Sequence, residues 1–242
     1  MHRFRVTFAK GLEVRYVSHL DLMRTWERIL RRAAVRLAHS QGFNPRPRLV
    51  FAAPLPLGTT SEAEIVDVDV EDDLSAAGFG QRLRPALPPG IQVSSIVEVG
   101  LSQPAVMAQI LSSDYLVTVQ APGPAAEAEA RIAAFADSQT VPYERLRKGK
   151  SKPADMRPVV LDLRLDSLQA GMAILFMRLR MDREGMSVRP EEVVRALHPE
   201  WMVLKVHRTA LALRPEAPGP AAPVAEEDRA RERVPIGASH VA

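Results

Sequence analysis

The stretch RYVSHLDLMRTWERILRRAAVRLAHSQGFNPRPRLVFAAPLPLGTTSEAE, residues 15–64, determines the plan of the first half of the chain. Ser18 suits a helix N-cap, and Asp21 follows three residues later, as in a capping box with Asp in place of Glu. The helix should end before Gly42, because Pro45 cannot continue it. Its buried stripe follows helical spacing and comprises Leu22, Trp26, Ile29, Leu30, Ala33 and Leu37.

Around this helix, the first hundred residues predict a compact unit of known element order. Alternation and turn residues indicate strands at 3–9, 48–53, 62–70 and 91–99 and a second helix at 74–85. The order is therefore strand, helix, strand, strand, helix, strand. That order is the ferredoxin-like unit.

The second half nearly repeats the order, with one strand more than the ideal unit. We predict helices at 124–137 and 190–198, and strands at 113–120, 141–147, 158–166, 171–181 and 202–213. The fold class is therefore α+β, with two tandem ferredoxin-like (βαββαβ) units and antiparallel sheets. The predicted units span 1–100 and 113–214, joined by a linker at 101–112. Residues 215–242 are rich in Pro, Ala, Glu and Arg without periodicity, which predicts a disordered tail.

Composition excludes several classes of site. The 242 residues include no cysteine, so the chain can form no disulfide, cysteine nucleophile or thiolate metal site of its own. The first residues alternate polar and apolar without an apolar signal core, and no run of eighteen apolar residues exists. We therefore expect a cytoplasmic protein. The net charge is only +3, so the clustering of the 32 basic residues matters more than their total.

The start of the first helix carries the candidate acid/base residues. Ser18 and Asp21 are explained by helix capping, since Asp21 also suits the positive end of the helix dipole. His19 lies off the apolar stripe, beside Arg15 and Arg24, where a histidine can act as an acid or base or bind a phosphate.

Two glutamates near the start of a predicted strand add carboxylates to this candidate. Glu62 and Glu64 are two residues apart and so point to the same side of the strand. They suit acid/base chemistry with His19 and Asp21, although an ion pair between one of the two glutamates and an arginine of the first helix is the preferred interpretation. A catalytic triad is not expected from residues this close on one turn. No H-x-x-x-H pair is present, so no metal site is predicted.

Arginines dominate the rest of this stretch. Between positions 24 and 48, Glu27 is the single acid against seven arginines: Arg24, Arg28, Arg31, Arg32, Arg36, Arg46 and Arg48. We call the four on the helix, Arg24, Arg28, Arg31 and Arg32, the arginine face. It is either a solvated helix surface or a phosphate-binding surface, since arginine makes forked contacts to phosphate.

The loop after the helix, residues 40–47, carries Phe43, Asn44 and Arg46, and we call it the Phe43 loop. Two interpretations are open for Phe43. The ring either stacks on a nucleic-acid base or fills the core beneath the loop, and the second is slightly favoured because phenylalanine is so often buried.

A second basic segment, RLRKGKSKPADMR at 145–157, has six positive charges against one acid. Gly149 and Pro153 predict a loop, and a solvated loop is one interpretation. Together with the arginine face it also suits a polyanion site, for which the candidate residues are Arg147, Lys148, Lys150, Lys152 and Arg157. The segment lacks the phosphate-binding pattern of nucleotide P-loops.

Several motifs resemble the bacterial radical SAM-linked protein family. They are RYVSHLDLMR at 15–24, SQGFNP at 40–45, PLPLG at 54–58 with Glu64, KGK to DMRP at 148–158, and RPxEV at 189–193. The resemblance covers residues 2–213. That family is a domain of unknown function fused to, or encoded beside, a radical SAM protein with a cobalamin-binding-like region. The resemblance therefore implies a radical SAM partner, which would hold the iron–sulfur cluster and SAM. It also suggests an RNA context, because such genes often lie near a ribonuclease E/G-type gene and ribosomal protein genes.

We therefore expect an RNA-binding accessory module for tRNA or rRNA that works with a radical SAM partner and carries no cofactor itself. One basic cleft would be lined by the arginine face, the Phe43 loop and the second basic segment. One alternative is an RNA-cleaving or RNA-modifying enzyme that uses His19 as an acid/base. The other is a protein–protein adaptor for the same partner, without RNA contact. A binding module is preferred over a self-sufficient enzyme.

Overall fold

The computed structural model describes residues 1–147, 149–181 and 188–214, without the side chains of residues 146, 147 and 150. The predicted disordered tail, 215–242, lies outside the described residues. The helices are α1 His19–Arg32, α2 Ala76–Leu83, α3 Ala125–Asp137 and α4 Pro190–Leu197. The strands are β1 His2–Lys10, β2 Leu49–Phe51, β3 Thr60–Val70, β4 Ile91–Val99, β5 Ile110–Gln120, β6 Pro142–Arg147, β7 Lys150–Asp155, β8 Val160–Gln169, β9 Met172–Arg180 and β10 Met202–Leu213.

Both halves have the ferredoxin-like arrangement, as predicted. In the first unit the strands lie in the order β4-β1-β3, with the short β2 pairing with β3. In the second unit the order is β10-β5-β9-β8. In each unit the first and third strands are central and the second and fourth lie outside them. Every strand pair within a unit is antiparallel, which confirms the predicted α+β class.

The two units share one continuous sheet. A short parallel ladder pairs His207 with Thr60 and Arg208 with Ser61, and so joins β10 of the second unit to β3 of the first. We call this junction the seam. The paired strands are far apart in the chain, so local sequence patterns gave no signal for it.

Each unit has its own hydrophobic core beneath its helices. The first core packs α1 and α2 on β1, β3 and β4, around Phe4, Phe8, Trp26 and Phe79. The second packs α3 and α4 on β5 and β9, around Val117, Leu175, Met177, Val193 and Val194. Residues two apart on a strand share a face. On β10, Val206 packs in the second core, and Arg208, on the same face, contacts Glu64 of the first unit. The two helix pairs therefore cover the same face of the sheet.

The first helix is shorter than predicted. It ends at Arg32, because Ala34 takes a left-handed conformation with φ 53°, which a right-handed helix cannot contain. Leu37 instead bridges to Val70, so its prediction as part of the helical stripe was wrong. The stripe from Leu22 to Leu30 is buried as predicted.

The second basic segment is a hairpin and not a loop. β7 pairs in register with β6 from Pro142 opposite Asp155 to Arg147 opposite Lys150, so the loop prediction for 150–155 was wrong. Gly149, with φ 73°, lies in the turn that connects the two strands. The hairpin is inserted between α3 and β8, which accounts for the strands beyond the ideal unit.

The segment before β5 packs on the sheet face opposite the helices. Val106 is fully buried, and its N–H donates to Asp67 at 3.0 Å. Arg5 pairs with Asp67 at 2.8 Å and reaches the Gln109 side chain at 3.2 Å. No helix in the described part of the chain is long and apolar enough to cross a membrane.

Candidate nucleic-acid interface

The start of α1 is built by capping. The Ser18 hydroxyl accepts the Asp21 N–H at 3.2 Å and donates to the Asp21 carboxylate at 2.7 Å. That hydroxyl, followed by Arg24, holds the pKa of Asp21 below its ordinary value. The capping interpretation of Ser18 and Asp21 is confirmed. His19 is half-buried, and its ring packs edge-on against Phe51 with the ring centroids 5.5 Å apart.

The candidate catalytic set His19, Asp21 and Glu64 does not come together as an acid/base centre. Glu64 is only 2% exposed and accepts a hydrogen bond from Arg208 at 2.9 Å. One of the two glutamates is therefore in an ion pair with an arginine, but that arginine comes from β10 of the second unit and not from the first helix. Each carboxylate is thus used within the fold, and the ring of His19 rests on a hydrophobic residue.

The seam holds a buried polar cluster that sequence reasoning missed. Arg208 is 1% exposed and donates to Glu64, to the Tyr115 hydroxyl at 3.1 Å and to the Pro54 carbonyl at 3.3 Å. Burial alone would lower the pKa of Arg208, but Glu64 and Tyr115 outweigh it and raise that pKa. No motif marks Arg208, since one arginine in an alternating strand gives no sign of burial.

A second buried cation fixes the chain ahead of α1. Lys10 is 1% exposed, and its ammonium donates to the Arg15 carbonyl at 2.8 Å and the Thr59 carbonyl at 3.4 Å. Burial lowers the pKa of Lys10, partly against the charge of Glu64. The Gly58 N–H also donates to the Arg15 carbonyl, at 3.0 Å. These bonds hold Arg15, whose guanidinium stacks on the exposed Tyr16 ring at 4.6 Å, at the surface.

The arginine face is exposed but only partly available. Arg24 pairs with Asp21 at 3.2 Å, and Arg32 donates to the Ala86 carbonyl. Arg28 and Arg31 are exposed, and no ion pair to either occurs among the described residues. Two of the other arginines predicted in this stretch are in ion pairs, Arg36 with Asp72 and Arg48 with Asp69. The available cations therefore centre on Arg28 and Arg31.

The Phe43 loop projects an aromatic side chain into solvent. Phe43 is fully exposed, at 101%, so the interpretation that it fills the core was wrong. The loop is closed by the Ser40 N–H donating to the Arg46 carbonyl at 2.8 Å, and by the Arg46 N–H donating to the Ser40 hydroxyl at 3.0 Å. Asn44 and Arg46 follow Phe43 in the chain and are exposed. One hydrogen-bonded loop thus presents an aromatic ring, an amide and a guanidinium.

The second basic segment lies on the other unit. Arg145 and Lys152 face each other across the β6–β7 ladder, and Lys152 is exposed. The side chains of Arg147, Lys148 and Lys150 lie outside the described residues. The hairpin borders a groove of about 290 Å³ beside α4, lined by Pro142, Tyr143, Glu144, Met156, Glu192, Arg195 and Ala196. A single cleft shared with the arginine face stays a prediction.

Arg157, predicted as a phosphate-binding residue, makes three hydrogen bonds to backbone carbonyls within its own unit. Its guanidinium donates twice to the Ala136 carbonyl, at 3.3 and 3.1 Å, and once to the Val160 carbonyl at 2.9 Å. Ala136 lies in the last turn of α3, where carbonyls lack helical partners. These bonds use the donors of Arg157 to close the end of the helix.

A match to a family model identifies the family of this chain. The family model described as "Uncharacterized protein conserved in bacteria (DUF2344)" matches residues 3–190. The chain belongs to this bacterial family. That confirms the predicted membership of an uncharacterized bacterial family. No curated protein matches the chain.

Solved structures match the fold of this family member. The chain is similar to a Cbf5–Nop10–Gar1 complex, with a TM-score of 0.51 and 10% identity over 87% of this chain and 48% of that chain. An archaeal box H/ACA sRNP Nop10–Cbf5 complex gives 0.45 and 8%, over 86% and 46%. An H/ACA RNP bound to a substrate RNA containing 2'-deoxyuridine gives 0.46 and 10%, over 85% and 46%. This chain spans about half the length of the chains that it matches, and identities this low show the fold alone.

Proposed function

We propose that the protein is an RNA-binding accessory module, for tRNA or rRNA, that works with a radical SAM enzyme. The observation that carries the proposal is the Phe43 loop, where a fully exposed phenylalanine is followed by Asn44 and Arg46 in a loop with a hydrogen-bonded backbone. An isolated exposed phenylalanine has no folding role. Aromatic rings presented in this way stack on unpaired bases.

The chemistry of the surrounding groups fits an RNA ligand. Arg28, Arg31 and Arg46 are exposed cations that suit phosphate oxygens, since a guanidinium makes forked contacts. Asn44 can hydrogen-bond to base edges. A single-stranded segment would offer both phosphates and unstacked bases, so we assign a loop or end of a structured RNA as the ligand.

The partner part of the proposal rests on the family resemblance and on an exposed hydrophobic patch. Tyr16 and Leu57 are 67% and 64% exposed, and the Tyr16 ring lies close to Gly58, next to Leu57. Exposed hydrophobic residues that lie together mark protein contacts. We assign this patch to the radical SAM partner, whose own residues would bind the cluster and SAM.

The shared fold is compatible with this proposal. The match with a TM-score of 0.51 is to a Cbf5–Nop10–Gar1 complex, so this fold occurs in a multi-protein assembly. The proposal itself depends on the side chains of the Phe43 loop and the arginine face, which the fold comparison does not address.

Fluorescence anisotropy with labelled tRNA and rRNA fragments tests RNA binding. We expect Phe43→Ala to weaken binding about 5- to 150-fold, the loss typical of one stacked base. Arg28→Glu with Arg31→Glu should flatten the salt dependence, by about 0.7 in the slope of log K against log salt for each lost phosphate contact on a single strand.

Leu57→Ala is the matched control, because it removes an exposed hydrophobic side chain outside the proposed RNA surface. It should leave RNA affinity unchanged and weaken co-purification with the radical SAM partner after nuclease treatment. RNA binding that is absent, or that does not depend on salt, contradicts the proposal. Partner binding that persists under those conditions but fails in Arg28→Glu would support the adaptor alternative.

A further inference from the structure

The second unit leaves one face of its sheet open. Its helices and core cover the other face, and in the described part of the chain no helix packs on the side opposite them. The strand register places His207, Leu116, Phe176 and Arg164 side by side across β10, β5, β9 and β8 on that open face. An aromatic residue therefore lies on a central strand of a four-stranded sheet, between basic neighbours.

Phe176 is braced by two arginines. The Arg164 guanidinium carbon lies 3.7 Å from the centroid of the Phe176 ring, and that of Arg178 lies 6.0 Å from it. Arg164 is held by Asp162 at 2.8 Å, and Arg178 makes two bonds to Asp114 at 2.8 and 2.7 Å. Both guanidinium groups are thus fixed in orientation, and Arg164 keeps about half of its side chain exposed on top of the ring.

The charges of this face favour a polyanionic ligand over a protein partner. Its exposed cations are Arg164, Arg178, Arg180 and Lys205, placed there by the strand register. Asp162 and Asp114 pair with Arg164 and Arg178, so Arg180 and Lys205 are the exposed cations of this face without an ion pair in the described part of the chain. A planar stacking surface surrounded by cations matches a base and its flanking phosphates.

We propose that this open face is a second nucleotide-binding site, which takes one base of a single-stranded RNA. The base stacks on the outer side of the Arg164 guanidinium, which itself stacks on Phe176. The adjacent phosphates meet Arg180 and Lys205. This inference rests on the proposed RNA-binding function and extends the RNA path from the first unit to the second.

The test uses substitutions that remove a planar side-chain group without changing the charge of the side chain. Arg164→Lys retains the cation and loses the flat guanidinium, and Arg164 is exposed enough for the variant to fold. Phe176→Leu removes the ring beneath it. The probes are a labelled single-stranded heteropolymeric RNA and an abasic oligomer of the same length, measured by anisotropy. Arg131→Lys, at an ion-paired arginine of α3 on the helix-covered side of the unit, is the matched control.

We expect Arg164→Lys and Phe176→Leu each to weaken binding of the RNA by about 5-fold or more, with no effect on the abasic oligomer. Arg131→Lys should change neither. Equal RNA affinity in folded Arg164→Lys and in the wild type would overturn the second site but leave the Phe43 surface standing. A wild type that binds no RNA overturns both. A loss that is equal for the RNA and the abasic oligomer would show a phosphate contact only and would overturn base stacking here.

Discussion

Removing either partner of the buried Glu64–Arg208 ion pair at the seam should destabilise the fold. The size of the loss should depend on which partner is removed. Glu64→Leu leaves the Arg208 guanidinium buried with the Tyr115 hydroxyl and the Pro54 carbonyl as its remaining partners. Arginine cannot lose its proton at accessible pH, so the buried charge stays. We expect a loss of about 3–5 kcal/mol in the free energy of unfolding, nearly independent of pH between 5 and 7.

Arg208→Met leaves the opposite partner, the Glu64 carboxylate, buried without its guanidinium. The charge of Lys10 acts on Glu64 and partly compensates it, so we expect a smaller loss of stability than for Glu64→Leu. The double variant Glu64→Leu with Arg208→Met removes both charges, so we expect it to lose much less stability than the sum of the single variants.

Urea unfolding of the wild type, both single variants and the double variant at pH 5 and pH 7 measures these differences. The expected pattern is a larger loss for Glu64→Leu than for Arg208→Met, a loss for Glu64→Leu that is nearly equal at the two pH values, and a strongly non-additive double variant. Additive losses would refute the direct pairing of Glu64 with Arg208. A loss for Arg208→Met as large as that for Glu64→Leu would refute the compensation of Glu64 by Lys10.

Two further predictions concern other polar contacts. Burial lowers the pKa of His207 below its ordinary value, so the unfolded chain takes up the proton first as the pH falls. The stability of the wild type should therefore fall as the pH drops from about 6.5 to the folded pKa of His207, and the pH dependence should be weaker in His207→Asn. Melting temperatures of both proteins between about pH 5 and 7.5 measure this difference. Parallel curves would contradict His207 as the cause. Arg157→Leu removes three bonds to the Ala136 and Val160 carbonyls and should lower the free energy of unfolding by about 1–3 kcal/mol while RNA affinity is unchanged. Weaker RNA binding with unchanged stability would restore Arg157 to the phosphate-binding set.

For the candidate site, the sequence showed which residue types could bind a ligand better than it showed which of them are exposed to one. It predicted that Phe43, Asn44 and Arg46 share a loop, because the flanking Gly and Pro end local structure. It could not predict that Phe43 is exposed, since a phenylalanine in a loop is as compatible with the core as with solvent. It also placed Arg157 among the phosphate-binding residues, because a basic run in sequence does not show which guanidinium reaches a nearby carbonyl.

The α+β class and the two ferredoxin-like units were determined by the sequence alone, because hydrophobic periodicity and turn residues are local properties. Ser18 and Asp21 as helix-start residues are local in the same sense, since the groups that they bond lie within one turn. The continuous sheet, the Glu64–Arg208 pair and the row across Phe176 were decided only by tertiary structure. Glu64 and Arg208 are 144 residues apart, and only the pairing of β3 with β10 brings them together. Whether a charged residue is buried in an ion pair or exposed to bind a ligand depends on such long-range pairing.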